Sequence, residues 1–232
     1  MAKIKDLVFT VVGLGAFGMK VCQVISERGG KVIAIDASEE RINRVKNLVT
    51  QAVIMDATDE EGYKRLSLED SDVGVVAIGD NVEGSILATA LLKKAGVRYL
   101  VARAITPVHR QVLSQIGADE VINIEEDMGE QLAVKLIAPQ ILDLIPISER
   151  ISMAEIYCPR DFVDKTLADL DLRGRVRLNV VAIKRDSVEV DELGNPHSSE
   201  ELIFPQAEVV LKTNDILMVV GFNEDIETVK NL

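Results

Sequence analysis

Short apolar runs alternate with helix-period segments over the first 140 residues. Residues 7–12 (LVFTVV), 31–35, 51–55, 73–78 (VGVVAI), 98–102 and 120–124 are short and rich in β-branched or aliphatic side chains, the pattern of strands. Between them, a segment running to Arg28 and residues 39–48, 60–66, 82–95 and 107–116 read as helices. Gly29-Gly30, Gly96 and Gly117 follow three of these helices, and Pro107 opens another. Ser38 is placed to cap the second helix, with Arg41 where a capping box would carry Glu. Near-continuous apolar strands suit a parallel sheet buried on both faces. Strand–helix alternation with short links therefore predicts an α/β, doubly wound, Rossmann-type domain.

The pattern then changes. Residues 127–144 read as a longer helix that Pro139 should kink or break. The boundary is expected within 142–150, giving domains 1–142 and 143–232. The second stretch predicts a small α+β module. Its strands are 151–158 (ISMAEIYC), 178–184 (LNVVAIK) and 215–220 (DILMVV), with short helices over 163–170 and 223–231 and a hairpin-like turn within 189–195.

Composition narrows the class. Hydrophobic residues make up 47% but aromatics only 3%, with no Trp, so the core must be aliphatic. A net charge of −12 repels phosphate backbones and anionic lipid. Nucleic acid is excluded as a partner on this ground, and any membrane association is expected through another protein. Cys22 and Cys158 lie far apart and fit neither a metal motif nor a disulfide framework, which suits a reduced cytoplasmic setting. No signal peptide is expected, and no apolar stretch reaches the ~18 residues of a membrane helix.

The candidate chemistry centres on Gly13-Leu14-Gly15-Ala16-Phe17-Gly18, a G-x-G-x-x-G placed directly after a strand and opening a helix. Gly13 permits the tight turn, Gly15 lets backbone approach a pyrophosphate, and Gly18 lets helix and strand pack closely. The helix start then favours phosphate. Asp36 ends the second strand 18 residues after Gly18, where a carboxylate accepts a ribose diol and repels the 2′-phosphate of NADP. Asp56, Ala57 and Thr58, then Gly79, Asp80 and Asn81, then Arg103 end further strands on the same sheet edge. They are candidate nucleotide contacts. Helix caps, turn formers and an ion pair are the structural alternatives. His109 and His197 both read as surface residues outside any catalytic constellation. No enzymatic activity is expected. A soluble NAD-dependent oxidoreductase using His109 or Lys94, or an NADH-reading redox sensor, is the alternative.

The segments VVGLGAFG, VIAID, Asp56-Ala57-Thr58-Asp59 and VVAIGDN resemble the RCK (KTN) domain of cytosolic subunits in bacterial Ktr and Trk potassium uptake systems. INIEEDMG at 122–129 is similar to that family's link into its crossover helix, and LDLR at 170–173, NVVAIKR at 179–185 and DILMVVG at 215–221 resemble its C-terminal domain. The resemblance implies a cytoplasmic regulatory subunit that dimerises through the crossover helix. Dimers would assemble into an octameric ring, peripheral to the inner face of the membrane through a membrane-embedded potassium translocation subunit. It implies ATP or ADP as ligand, with NAD or NADH possible, and a divalent cation placed by Glu125 near the phosphates. It also implies a second ligand, cyclic di-AMP, at Arg173 and Asn179. From the residues alone, Arg173 reads as part of a charged helix-to-strand turn and Asn179 as a strand start. Many Ktr-type proteins carry a basic residue where this chain has Ala16, so preference for a γ-phosphate does not carry over.

Overall fold

The computed structural model describes residues 4–66, 68–190 and 196–229. Its contacts divide the chain into two compact units, Met1–Asp127 and Met128–Leu232.

The first unit contains β1 (Val8–Val12), α1 (Ala16–Glu27), β2 (Lys31–Asp36), α2 (Glu39–Val45), β3 (Gln51–Ile54), α3 (Glu60–Arg65), β4 (Val73–Val76), α4 (Val82–Lys94), β5 (Tyr99–Arg103), α5 (Pro107–Gln115) and β6 (Glu120–Ile122). The next helix, α6 (Ile124–Ile137), continues into the second unit. The strands lie in the order β3-β2-β1-β4-β5-β6, all parallel. This is the doubly wound sheet expected from the alternation. The strand order reverses between β1 and β4, so the loops leaving those two strands part and open a crevice at their carboxyl ends.

The apolar strands do what their composition demands. Val11, Val12, Val32, Ala34, Ile35, Val76, Leu100 and Ala102 are fully buried, and α4 and α5 add Leu92 and Leu113. Each such large side chain contributes ~1.5–3 kcal/mol by leaving water. The buried hydroxyl of Thr10 is satisfied by Ser71 at 2.9 Å. Ser38 caps α2 as expected, and Asp59, Asn81 and Thr106 cap α3, α4 and α5.

The second unit contains β7 (Ile141–Pro146), β8 (Ile151–Tyr157), α7 (Leu167–Leu170), α8 (Leu172–Val176), β9 (Asn179–Val190), β10 (Pro196–Ile203), β11 (Ile216–Phe222) and α9 (Asn223–Val229). These strands form an antiparallel sheet in the order β10-β9-β11-β8-β7. Alternate residues Ala154 and Ile156 of β8 and Leu217 and Val219 of β11 face a core with Leu170, Leu172, Leu178, Leu211 and Ile226.

The helix expected over 127–144 is shorter than its pattern. It stops at Ile137, two residues before Pro139, and the chain turns into β7, where Leu144 pairs with Ala154 and Ile145 with Met153. The boundary expected after residue 142 falls inside β7. The helix expected over 163–170 also starts late. Val163 is extended and Asp164 has φ +63°, and only the reciprocal Thr166–Asp169 capping box begins a helical turn. His197 belongs to β10. Residues 191–195 of the expected turn lie outside the described residues. No helix among the described residues is long and apolar enough to cross a membrane.

Candidate functional site

The site is built at the reversal of strand order. After β1 the chain turns through Gly13 at φ +91°, with its N–H donating to the Ile35 carbonyl at 2.9 Å. A Cβ on Gly13 would lie 2.8 Å from Ile78 Cγ1, and one on Gly18 would lie 1.9 Å from the Gly13 carbonyl oxygen. Both positions need glycine for a turn closed this tightly onto a helix. Gly15 differs, because a Cβ there would meet nothing within 4 Å. It borders open space. Gly15 is also the N-cap of α1 and supplies no side-chain acceptor, whereas side chains cap the next four helices. The start of α1 thus presents backbone donors and the positive end of the helix dipole with no side chain of its own to satisfy them.

A cleft of about 480 Å³ opens there, within the usual size range of small-molecule sites. It brings together Gly13, Gly15, Asp36, Asp56, Ala57, Gly79, Asp80, Asn81 and Arg103. Ala16, Phe17, Gly18 and Thr58 were also expected as contacts but do not line it. Ala16 begins α1, Phe17 packs against the apolar cluster of Val11, Cys22 and Val32, and Gly18 is pressed on Gly13. Thr58 donates its N–H and its hydroxyl to Asp56 at 2.8 and 2.7 Å.

Asp36 is 8% exposed and already organised. Its Oδ2 accepts the Leu14 N–H at 2.6 Å and Arg41 Nη1 at 3.4 Å, and its Oδ1 accepts the Ser38 N–H at 2.8 Å. Arg41 lines the cleft, which the sequence reading missed. The available signal was a basic residue in the helical turn directly after the strand-ending acid. Asp56 is held below the usual carboxylate range, first by the Thr58 hydroxyl and then by the Thr58 N–H. It is ionised at neutral pH. Asn81 lines the cleft while its Oδ1 accepts the Gly84 N–H at 2.9 Å, so one side chain is both cap and lining.

The guanidinium of Arg103 lies against Gly79, where a Cβ would sit 2.6 Å from Cζ. Its Nη2 donates to Glu125 Oε1, and its Nε is buried without a partner. The cleft therefore fits a nucleotide: an organised acid for a ribose diol, an uncapped helix start, and a cation with an unused donor for phosphate. Glu125 is engaged by Arg103. Among the described residues no three His, Cys, Asp or Glu side chains gather as a metal set. Arg173 lies in α8, and Asn179 is the first residue of β9, opposite Val220.

The two groups considered for hydride chemistry are placed otherwise. His109, expected at the surface, is 3% exposed with neither ring nitrogen partnered, because it shares the inward side of α5 with the buried Leu113 while Val108 beside it stays exposed. Lys94 pairs with Glu60 at 2.8 Å. Neither lines the cleft.

Residues 9–124 match the TrkA-N domain family, and residues 154–232 match the TrkA-C domain family. The Ktr system potassium uptake protein C of Bacillus subtilis is 38% identical over 218 residues, covering 94% of this chain and 93% of that protein. This chain belongs to that family. The Ktr system potassium uptake protein A of the same organism is 32% identical over 231 residues, covering 100% of this chain and 99% of the relative. Among solved structures, the GsuK channel bound to NAD superimposes with a TM-score of 0.65 at 16% identity. The match covers 98% of this chain and 39% of the channel chain, and it extends the shared fold across both units.

Proposed function

We propose that this protein is a cytosolic, nucleotide-binding regulator of potassium uptake that acts by ligand-dependent change of shape rather than by catalysis. The observation that carries this reading is the cleft at the β1–β4 reversal, where Asp36, the uncapped start of α1 and Arg103 converge. Membership in the Ktr family supports the transport role, and the NAD named for the GsuK channel supports a nucleotide in this fold.

The ligand is an adenine nucleotide, ATP or ADP, with NAD or NADH as competitor. Asp36 takes the ribose diol; the α1 amides and Arg103 take phosphate. Ala16 adds no positive charge to the loop, so a third phosphate gains less here than it would beside a basic residue. A divalent cation at Glu125 would require phosphate oxygens and a second carboxylate, such as Glu125 of another copy, because one carboxylate makes a poor cation site. A second site for cyclic di-AMP at Arg173 and Asn179 rests on the family resemblance.

The mechanical partner is a second copy of the chain. Along α6, Met128, Leu132 and Leu136 are 51%, 58% and 73% exposed at four-residue spacing, an apolar stripe that a copy of the same helix would cover. Such dimers, assembled into an octameric ring, would dock on a membrane-embedded translocation subunit. Nucleotide biases that ring only to the extent that it binds one state more tightly, at about 1.4 kcal/mol for each tenfold difference.

The test is calorimetric titration of nucleotide-stripped protein with ATP, ADP and NADH, with and without magnesium, while the nicotinamide absorbance is followed. Saturable binding without turnover is expected. Failure of all three to bind would sink the reading.

A further inference from the structure

We propose that Arg103 and Glu125 form an exchange latch: phosphate in the cleft draws Arg103 off Glu125 and so releases the first turn of α6. The proposal rests on the nucleotide reading of the cleft and deepens it by naming how occupancy leaves the site.

Three observations converge on Arg103. It ends β5 and lines the cleft, so its charge is available to a bound anion. Its guanidinium plane is seated on Gly79 with no room for a side chain there, which fixes where the charge lies. Its Nε is buried and donates to nothing. A guanidinium is a fork of donors that matches phosphate with paired hydrogen bonds. With one arm on a carboxylate and Nε idle, that fork is only partly used.

The partner it holds is weakly placed. The Arg103 side chain is 20% exposed, but that of Glu125 is 59% exposed. Pairs with such an open member are worth little, and the carboxylate is readily resolvated once released. Phosphate carries more charge than a carboxylate and would approach from within the cleft, where the start of α1 also favours it. The competition therefore favours phosphate, while a neutral nucleoside leaves the pair closed.

The consequence falls on α6. Glu125 is the second residue of that helix, and its neighbours are held otherwise. Asn123 accepts the Glu126 N–H and donates to the Glu126 side chain, and Arg110 approaches Glu126 at 3.7 Å. Among the described residues, Arg103–Glu125 is the one ion pair that joins a cleft-lining side chain to α6. Its exchange converts ligand charge into a changed restraint on a helix start.

The experiment titrates the full chain with ADP and with adenosine in EDTA, so that no divalent cation bridges Glu125 to phosphate. In Glu125→Gln, the preference for ADP over adenosine should rise about two- to fivefold, the scale of a partly exposed pair. In Arg103→Gln that preference should fall at least tenfold, and the double variant should behave as Arg103→Gln alone. Hydrogen exchange should show the hydrogen-bonded amides of Glu126 and Asp127 exchanging faster on addition of ADP to the unaltered protein, and no such change in Glu125→Gln. If the unaltered protein binds ADP but Glu125→Gln leaves the preference unchanged or lowered, or if those amides do not respond, the latch is overturned and the cleft stands. If ADP does not bind at all, cleft and latch fall together.

Discussion

The carboxylate of Asp36 accepts the backbone N–H of Leu14 at 2.6 Å across the top of the sheet. The acid that would hold a ribose diol therefore also pins the glycine loop that would hold phosphate, and the two halves of the site are one hydrogen-bonded unit. Asp36→Ala should cost ~1–3 kcal/mol of stability by stripping the acceptor from the Leu14 and Ser38 amides. It should also lose most nucleotide affinity. Asp36→Asn keeps one carbonyl acceptor and should be milder on both counts. Urea unfolding and calorimetry on the two variants check the order; equal stability of Asp36→Ala and the parent would disprove the pinning role.

Two glycines of the same loop should respond in opposite ways. Gly18→Ala forces a methyl against the Gly13 carbonyl oxygen, and a crowded contact of this kind costs ~1–3 kcal/mol. Gly15→Val adds its side chain toward open space and should change stability by no more than ~0.5 kcal/mol, yet obstruct phosphate. Thermal melts paired with ADP titration separate the two effects.

In the second unit, Asp215 is fully buried and accepts Arg185 Nε and Nη2, both at 2.7 Å, and the Lys212 N–H at 2.8 Å. Burial alone would raise its pKa. The Arg185 hydrogen bonds, the Lys212 amide and the charges of Arg185 and Lys212 outweigh it and hold the carboxyl below its usual value. A folded pKa below the unfolded one gives stability that is fully present above about pH 4 and lost as pH falls through the folded value. Asp215→Asn should cost ~3–5 kcal/mol at pH 7 and flatten the acid limb of the stability curve. Denaturant melts from pH 7 to pH 3 measure both.

His109 should shape the curve at milder pH. Burial lowers its pKa and neither ring nitrogen has a partner, so the folded protein favours neutral imidazole. The unfolded chain takes up the proton first, so stability is full above about pH 6.5 and declines as pH falls from there toward the lowered folded value. His109→Leu should abolish that decline. An unaltered slope between pH 7 and pH 5 in the variant would show that His109 is not its source.

The apolar stripe on α6 predicts the oligomer. Leu132→Glu with Leu136→Glu places charges where a second helix would pack, and should shift the protein to monomers in sedimentation velocity. The far-ultraviolet spectrum should be unchanged, since both positions are exposed in a single chain.

Much of the architecture and part of the cleft could be read from the chain by local rules. Strand–helix alternation, the glycine turn between β1 and α1, the acid closing β2 and the caps at Ser38 and Asn81 follow from side-chain period and from spacings short enough for neighbouring residues to dictate one another's backbone. The tertiary structure decided the rest. Arg41 reaches back to Asp36, Arg103 takes Glu125, His109 turns inward and β7 joins the second sheet. Three of these are questions of where a long side chain, or one side of a helix, comes to rest once the sheet has brought distant segments together. The fourth depended on a partner: residues 141–146 carry apolar side chains that suit a helix or a strand, and only pairing with β8 chooses between them.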